Sequence, residues 1–322
     1  MAGTGNTSYT SLITTTLQNH GREIFDAVST NNSLLWMLRQ AGNIKVVPGG
    51  RTFTHPLIYK TNSSFQMYAK LDPISLTMTD AISRAEYDVK IAAGSITLSD
   101  LELAMNNGDR EKLIDLAEEK KLEAEISMSE LLGDQVYEDG AGANEFGGLQ
   151  FLINETPAAQ TNVGGINCTA NTYWQNATNN SAITAFNTGT AGLIAWNDIL
   201  NKATFGRRGP RAVFTTKTIY GLYEIGLTSN IRYAQTDLAD AGFRHLQFTT
   251  LPVLFDDSCP AGNTYFVDTE SLWLQVLSQG NMQITQFQNK DDQLAKSALM
   301  YLYGNLTTGS RRTNGVQNNT TA

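Results

Sequence analysis

The side chains best suited to chemistry are scattered along this 322-residue chain. Histidines occur at His20, His55 and His245, without the His-Glu-x-x-His helix pattern or the Cys/His spacing of zinc sites. We therefore expect each histidine to be a structural residue with satisfied hydrogen bonds. Cys168 and Cys259 are too few and too far apart for a disulfide framework, so we expect both to be reduced thiols.

Two adjacent carboxylates, Asp256 and Asp257, follow the apolar run LPVLF. Such a pair could serve a hydrolase or bind a cation. Neighbouring residues in a strand point to opposite faces, however, so these two would converge only at a bulge. We interpret them as turn or cap residues. The sequence also has no Gly-x-Ser-x-Gly elbow and no phosphate-binding loop, and we expect no catalytic residue, metal or cofactor.

Arginines are concentrated in two short turns. Arg207, Arg208 and Arg211 lie among glycine and proline residues, and Arg311 and Arg312 lie near the end of the sequence. Guanidinium groups can bind phosphate or pair with carboxylates. The sequence leaves both possibilities open. Because the chain is acidic, we favour pairing with carboxylates of a neighbouring subunit.

The overall charge argues against a protein whose main task is to bind nucleic acid. The chain has a net charge of −8 and a pI near 5.0, whereas nucleic-acid-binding domains are usually basic. A hydrophobic content of 41% predicts an ordered core. The sequence has neither a signal-peptide pattern nor a run of eighteen apolar residues, so we expect no membrane association. The missing export signal also counts against a surface adhesin.

The longest predicted element is an acidic helix over residues 107–139. About 30 residues at about 1.5 Å each would span roughly 45 Å, nearly the width of a compact chain of this length. The segment holds eleven acidic and four basic residues, a net −7, which we interpret as the solvated side of an amphipathic helix. Apolar residues recur at helical spacing at Leu113, Leu116, Ala117, Ala124, Met128 and Leu131.

Two strands before this helix predict a long hairpin. RTFTHPLIY (51–59) puts Phe53, His55, Leu57 and Tyr59 on one face, and RAEYDVKI (84–91) alternates charged with apolar residues. An isolated hairpin is only marginally stable in water, so its apolar face must be covered. The sequence leaves open whether the chain's own core or a neighbouring subunit covers it.

The second half mixes helices and strands without a repeating strand–helix unit, which predicts an α+β protein. We expect the glycine-rich segment 140–148 to be a hinge and residues 154–190 to be an extended surface loop anchored by Tyr173 and Trp174. The run GLQFLI (148–153) predicts a buried strand. Further helices are predicted at 191–205 and 217–226, and further strands at 211–216, 251–257, 264–269, 272–277, 282–287 and 297–308.

Four strings of the second half occur in a recognisable order. They are GGIN with TYWQN (164–176), PRAVFTTKTIYGLYEIG (210–226), a longer string over 242–274, and YLYGNLTTGSRRTNGV (301–316). In these strings, and in the order of its parts from about residue 40 onward, the sequence resembles the major capsid proteins of tailed bacteriophages. The resemblance implies the α+β fold named after phage Hong Kong 97.

The resemblance also implies a division of the chain. We expect an N-terminal arm (1–45), an extended loop (46–97), a peripheral domain with a spine helix (98–145), an axial domain (146–275) and return strands of the peripheral domain (276–322). Contacts between subunits are then expected in the extended loop and at the arginine turns, with these candidates: Phe53, Tyr59, Lys60, Phe65, Tyr68, Lys70, Arg207, Arg208, Arg211, Arg311 and Arg312.

The function implied by the resemblance is self-assembly, through hexamers and pentamers, into the icosahedral head shell of a tailed double-stranded DNA bacteriophage. The implied partners are other copies of the chain, a separate scaffolding protein, a portal, a decoration protein, and packaged DNA bound without sequence specificity. The implied location is the virion, with assembly in the host cytoplasm. The alternative is an encapsulin-like compartment of the same fold that encloses protein cargo.

Overall fold

The computed structural model describes residues 32–60, 62, 64–74, 76, 81–105, 110–183, 191–227, 246–290 and 293–320. Helices and strands are mixed along the chain, which confirms the α+β class. The helices are α1 (Ser33–Gln40), α2 (Asp100–Met105), α3 (Arg110–Tyr137), α4 (Leu149–Leu152), α5 (Ala191–Ala203) and α6 (Lys217–Gly226). The strands are β1 (Ile44–Val47), β2 (Thr52–Ile58), β3 (Ile82–Asp88), β4 (Lys90–Ser99), β5 (Ala177–Asn179), β6 (Ala212–Thr215), β7 (Leu246–Phe248), β8 (Leu251–Phe255), β9 (Thr264–Val267), β10 (Leu272–Leu277), β11 (Gln283–Ile284), β12 (Gln288–Asn289), β13 (Ala295–Thr308) and β14 (Gly315–Gln317).

The first sheet is organised around the long strand β13. It has the order β1-β10-β13-β11, and β4 and β12 also pair with β13. β4 runs antiparallel to β13 over ten residue pairs, from Ala295↔Ser99 to Gly304↔Lys90. Inward side chains such as Leu302 and Leu306 are fully buried. This sheet carries α3 on one side, so the long helix is held by a long strand pair.

The second sheet has the order β5-β14-β9-β6-β8-β7. Every residue of β6 and β9 is buried, as expected for strands covered on both faces. Trp196 of α5 is fully buried and lies edge-to-face against Phe248 and Phe266, with ring centroids 5.1 and 5.8 Å away. These aromatic contacts fix the helices on this sheet.

Residues 276–322 contribute to both sheets, which corrects the expectation that they return to one sheet alone. β13 belongs to the first sheet, whereas β14 pairs with β9 and β5 in the second. The hairpin expectation also changes at its second strand. β3 ends at Asp88 and β4 begins at Lys90, so the alternation of RAEYDVKI breaks at Val89 and Ile91 is 62% exposed.

The long helix is observed over Arg110–Tyr137, a span of about 42 Å at 1.5 Å per residue. Ala124 and Met128 are buried, as predicted. Leu131 is partly exposed, because the buried stripe follows the i+4 direction to Leu132 and Val136. The predicted positions at 113, 116 and 117 lie outside the described side chains.

Two predictions for the following segment are wrong. Residues 149–152 form one helical turn, since a short apolar run fits a buried helix as well as a strand. The glycines before it form a packed turn, because a Cβ on Gly148 would lie 2.5 Å from the amide nitrogen of Glu138. In the described part of the predicted surface loop, 154–183, Trp174 is buried as an anchor, as predicted, and its Nε1 donates to the Val163 carbonyl at 2.9 Å. The remainder of the predicted loop, 184–190, lies outside the described residues.

The first described helix, α1, is held to the rest of the chain at its start. The Asn32 side chain caps the helix by accepting from the amides of Leu34 and Leu35. The Ser33 hydroxyl donates to the buried Asp256 carboxylate at 2.7 Å. Burial raises the pKa of Asp256. The neighbouring Asp257 is exposed and pairs with a lysine, so the two carboxylates diverge as predicted.

Candidate assembly surfaces

The base of the hairpin is covered by the chain's own core. β2 and β3 pair antiparallel over seven residues, from Thr52↔Asp88 to Ile58↔Ile82. The inward side chains are all buried: Phe53, His55, Leu57, Ala85 and Tyr87. The question that the sequence left open is therefore answered for this part of the hairpin, which folds with the body of its own subunit.

His55 is the polar centre of the base. Its ring stacks on Trp273 with centroids 4.7 Å apart, and its Nε2 lies 2.9 Å from the Thr307 hydroxyl oxygen. Burial, assisted by the charge of Lys45, lowers the pKa of His55 to about 4. The imidazole is therefore neutral at ordinary pH, which confirms a structural role. His20 and His245 lie outside the described residues.

Tyr87 and Gly164 complete the anchorage of the base. The Tyr87 hydroxyl donates to the Thr308 carbonyl at 3.0 Å, and the amide of Glu86 donates to the Gly164 carbonyl at 2.9 Å. Gly164 has a φ of +61°, and a Cβ there would lie 3.0 Å from the Ala85 Cβ. Glycine permits both this backbone conformation and this close approach.

The tip of the hairpin, residues 58–82, differs from the base in that its apolar side chains are exposed to solvent. Among its described residues, seven large apolar side chains are more than half exposed, which is uncommon for a monomer surface. The Tyr68 hydroxyl donates to the Ser64 carbonyl at 2.8 Å, while Tyr59 stacks on Tyr173 at 5.0 Å. Lys60 and Lys70 are exposed on the same segment. The exposed apolar residues are Ile58, Phe65, Met67, Leu71, Ile74, Leu76 and Ile82.

The sequence identified Phe65 in the tip but missed Met67, Leu71, Ile74 and Leu76. Met67, Leu71 and Ile74 fall at helical spacing, but Pro73 lies within that stretch and interrupts a helix, so a search for periodic apolar faces passes over them. The signal that was available is simpler. Five large apolar residues within a dozen positions, around a proline and between two strands, have no obvious place in the chain's own core.

A groove lies between α3 and the first sheet. It has a volume of about 330 Å³ and is lined by residues of α3, β4 and β13. Its floor contains Ile96, Met128 and Met300, and its rim carries an ion pair between Lys120 and Glu123 at 2.8 Å. An apolar floor with a charged rim has the composition of a protein-binding surface.

Two of the expected contact residues lie inside the subunit instead. Phe53 is 3% exposed within the hairpin base, and Arg311 is completely buried. Neither side chain has surface to offer a neighbour. Arg311 was expected to pair with a carboxylate across an interface, but its partners belong to its own chain. A sequence cannot tell Arg311 from Arg312, because the residues that bury one of them are more than 130 positions away.

Arg311 holds the segment 152–176 by hydrogen bonds. Its guanidinium donates to the carbonyls of Leu152 at 2.7 Å and Trp174 at 3.1 Å, and to side-chain oxygens of Gln160 and Asn176. It also lies 2.8 Å from the Cys168 sulfur. Burial lowers the pKa of Arg311 and raises that of Cys168. Cys168 and Cys259 are both free and buried, as predicted.

The remaining arginines gather around one tight turn. Phe205 and Arg208 exchange backbone hydrogen bonds of 2.7 and 3.1 Å across Gly206–Arg207. Gly206 has a φ of +64°, the conformation that a type II′ hairpin turn needs at its first central residue. The Arg312 guanidinium lies 3.6 Å from the Phe205 ring centroid. We call Phe205, Arg207, Arg208 and Arg312 the arginine turn; nearby Arg211 pairs with Glu270 at 2.7 Å in its own chain.

Carboxylates gather at the end of α3. Oxygens of Glu138, Asp139 and Glu145 lie within 4.8 Å of one another. Two of these side chains also order the backbone: Asp139 accepts from the Ala141 amide and Glu145 from the Gly142 amide. We call the three residues the acidic loop. No other observation at this loop points to a cation, and we assign no metal to it.

None of the described helices is long and apolar enough to cross a membrane. No protein-family model matches the sequence, and no curated protein sequence matches it.

Solved structures do match the fold. A chain of the cyanophage A-1(L) capsid asymmetric unit aligns with a TM-score of 0.66 at 13% identity, covering 87% of this chain and 91% of that one. A chain of the satellite phage P4 procapsid, which includes the size determination protein, aligns with a TM-score of 0.57 at 12% identity, covering 93% and 90%. The SrpI encapsulin complex of Synechococcus elongatus PCC 7942 aligns with a TM-score of 0.54 at 10% identity, covering 88% and 87%. The chain thus has the Hong Kong 97-type fold that its sequence predicted.

Proposed function

We propose that this chain is the major capsid protein of a tailed double-stranded DNA bacteriophage, a structural subunit of its icosahedral head shell. The observation that carries the proposal is the hairpin, whose base is buried in its own subunit while its tip presents apolar side chains to solvent. A shell subunit needs such a projecting segment, because each copy must be held by its neighbours. The shared fold with phage capsid chains supports the same reading.

The free energy available at the tip is sufficient for assembly. Burying one large apolar side chain contributes about 1.5–3 kcal/mol. Association and side-chain ordering together cost of the order of 10 kcal/mol. The free energy gained by burying seven such side chains exceeds that cost only modestly. Each contact is therefore weak alone. Many identical heterologous contacts that close by symmetry give a stable shell.

We place the tip of one subunit over the groove of the next. The tip is apolar and exposed, and the groove offers an apolar floor beside α3. In this arrangement Phe65 and Met67 would occupy the groove, with Tyr59, Tyr68 and the two lysines of the tip at its margin. Hexamers and pentamers would be built from these contacts. We also propose the division into arm, extended loop, peripheral domain and axial domain, because the chain shares its fold with phage capsid chains.

The proposed cargo is double-stranded DNA held without sequence specificity. The chain's net charge of −8 suits a wall along which DNA must move, since strong phosphate binding would oppose packaging and release. A separate scaffolding protein, a portal and a decoration protein are the proposed partners. The proposed location is the virion, after assembly in the host cytoplasm, and we propose no catalytic role.

An encapsulin-like compartment is the second candidate, favoured by the structural likeness to the SrpI encapsulin complex. The two functions use the same subunit fold and differ in what the shell encloses. The phage reading is preferred because several of the similar structures are phage capsids.

The test is to purify the protein, with a scaffolding protein if one is encoded beside it, and to image it by negative-stain electron microscopy. The proposal predicts closed polyhedral particles, and particles from infected cells should contain nuclease-resistant double-stranded DNA. Particles that contain a defined protein cargo and no DNA would support the encapsulin candidate. A chain that remains monomeric at high concentration, with or without a scaffold, would contradict both.

A further inference from the structure

Two oppositely charged patches of the chain form no ion pair within the described part of the structure, although the Lys90 ammonium donates to the Ala143 carbonyl beside the acidic loop. In the arginine turn, the guanidinium groups of Arg207, Arg208 and Arg312 have no carboxylate within ion-pair distance among the described residues. In the acidic loop, three carboxylates crowd within 4.8 Å. Like charges this close repel one another, and a cationic partner would relieve the repulsion.

The two patches have different surroundings. Arg312 lies over Phe205, whereas the adjacent Arg311 points into the segment 152–176. The acidic loop lies beside Phe151 and Asn305 instead: Gly140 packs against the Phe151 ring, and the Gly147 amide donates to the Asn305 side chain. The contacts described above for the two patches share no residue. The patches are therefore separate surfaces of one subunit.

We propose that the arginine turn of one copy binds the acidic loop of the next copy in the shell. The inference rests on the proposed function and adds a specific contact between copies. Three guanidinium groups face three carboxylates, and guanidinium–carboxylate pairs form short, paired hydrogen bonds. A contact between two different patches of identical chains is heterologous, so it repeats head to tail and closes into a ring.

Both patches are held in place before they meet. The turn is fixed by its two backbone hydrogen bonds and by Gly206, and Arg312 is fixed by its stack on Phe205. The acidic loop is fixed by the bonds that Asp139 and Glu145 accept from its own amides. Such preorganisation reduces the entropy lost on contact. A surface of flexible, isolated charges would gain much less.

A carboxylate partner suits the arginine turn better than the phosphates of DNA. The nearby basic residues Lys202 and Arg211 are already paired with acids of their own chain, so the patch does not extend into the basic stripe typical of nucleic-acid surfaces. A chain with a net charge of −8 also repels DNA at long range. The turn fits a compact acidic surface, and the acidic loop has the matching number of charges.

The experiment reverses each patch separately and then both together in the full chain. The variants are Arg207→Glu/Arg208→Glu, Glu138→Arg/Asp139→Arg, and the combination of all four. Particle yield is measured by sedimentation, and folding of free subunits by circular dichroism. Each single reversal should lower particle yield at least about tenfold, because like charges then meet across the interface. The combination should restore most of the yield. Lys290→Glu/Arg51→Glu, at other exposed positions, is the control with the same change of charge as the arginine reversal.

A pair of introduced cysteines tests directly whether the arginine turn and the acidic loop of neighbouring copies are in contact. Arg208→Cys together with Glu138→Cys should give a ladder of covalent oligomers after mild oxidation of the particles, and either cysteine alone should give none. Normal yield from the single reversals, or a combination no better than either reversal, would overturn the inference. So would normal particles that lose only their DNA, since phosphate would then be the partner. If the wild-type chain forms no particles, the proposed function fails, and the cysteine pair still reports whether these patches meet in concentrated protein.

Discussion

The base and the tip of one hairpin differ in what covers them. In the base, Phe53 is 3% exposed and packs in the core of its own subunit, while in the tip Phe65 is 87% exposed. The two residues are of the same type and lie twelve positions apart. The difference teaches that hydrophobicity alone does not place a side chain in a core: the body of the subunit covers one end of the hairpin, and the other end remains for a neighbour.

This comparison separates two kinds of stability. Contacts at the base contribute to the free energy of unfolding of a single subunit. The exposed apolar side chains of the tip contribute little until another copy is present, and then they contribute to the free energy of association. Substitutions at the two ends should therefore be distinguishable by which of these two quantities they change.

The largest expected effect on folding is at the base. Phe53→Ala should lower the free energy of unfolding by about 4 kcal/mol, because it removes a buried ring and leaves a cavity. The matched change Phe65→Ala, at the tip, should alter it by less than about 0.5 kcal/mol. Urea denaturation of free subunits measures both. Equal effects of the two substitutions would show that the tip is also part of the subunit's own core.

Arg311 supports the segment on which the base rests. Arg311→Met should cost about 3 kcal/mol of unfolding free energy, because oxygens of Leu152, Trp174, Gln160 and Asn176 lose hydrogen bonds from this buried guanidinium. Arg312→Met is the matched control, expected to cost about 0.5–1 kcal/mol through loss of the stack on Phe205. The measurement is again urea denaturation. A variant of Arg311 as stable as the Arg312 control would contradict the role of this guanidinium.

Removing the apolar character of the tip should affect assembly alone. Phe65→Ser, Met67→Ser and Leu71→Ser combined should weaken association by about a hundredfold, since several apolar contacts are lost at each interface. Unfolding of the free subunit should be unchanged. Light scattering at several protein concentrations measures how far the concentration required for assembly shifts. Assembly at the wild-type concentration would rule out burial of the tip.

The base should also make folding sensitive to mild acid. The folded-state pKa of His55 is about 4, below its ordinary value of 6.5, so between these values the unfolded chain binds more protons. Stability should therefore be complete above pH 6.5 and decline as the pH falls toward 4, by about 3 kcal/mol from this residue. His55→Gln should show a smaller decline over the same range. Parallel pH profiles for the two proteins would assign the sensitivity to other groups.

Periodic segments of this fold could be predicted from sequence. The alternation around Phe53 gave the strand β2, and the helical spacing around Ala124 and Met128 gave α3. Both patterns reflect local geometry, which the order of residues encodes directly. The strings of the second half gave the fold class as well, through resemblance.

The wrong predictions concern features that depend on contacts between segments far apart in the sequence. The turn at Leu149–Leu152 is helical because the glycine before it packs against the end of α3, a contact that apolarity alone does not encode. Arg311 is buried by a segment far away in the sequence, and its neighbour Arg312 is not. The tip was missed in part because its apolar residues surround Pro73, which interrupts a regular helix or strand face.

The most direct test of the central claim compares side-chain reactivity in free subunits and in assembled particles. Hydroxyl-radical footprinting with mass spectrometry reads Phe65 and Met67 at the tip, and Met128, which is 2% exposed, provides an unreactive baseline. The account predicts that modification of the two tip residues falls by roughly tenfold on assembly, since the cores of interfaces exclude water. Tip residues that react as fast in particles as in free subunits would contradict it.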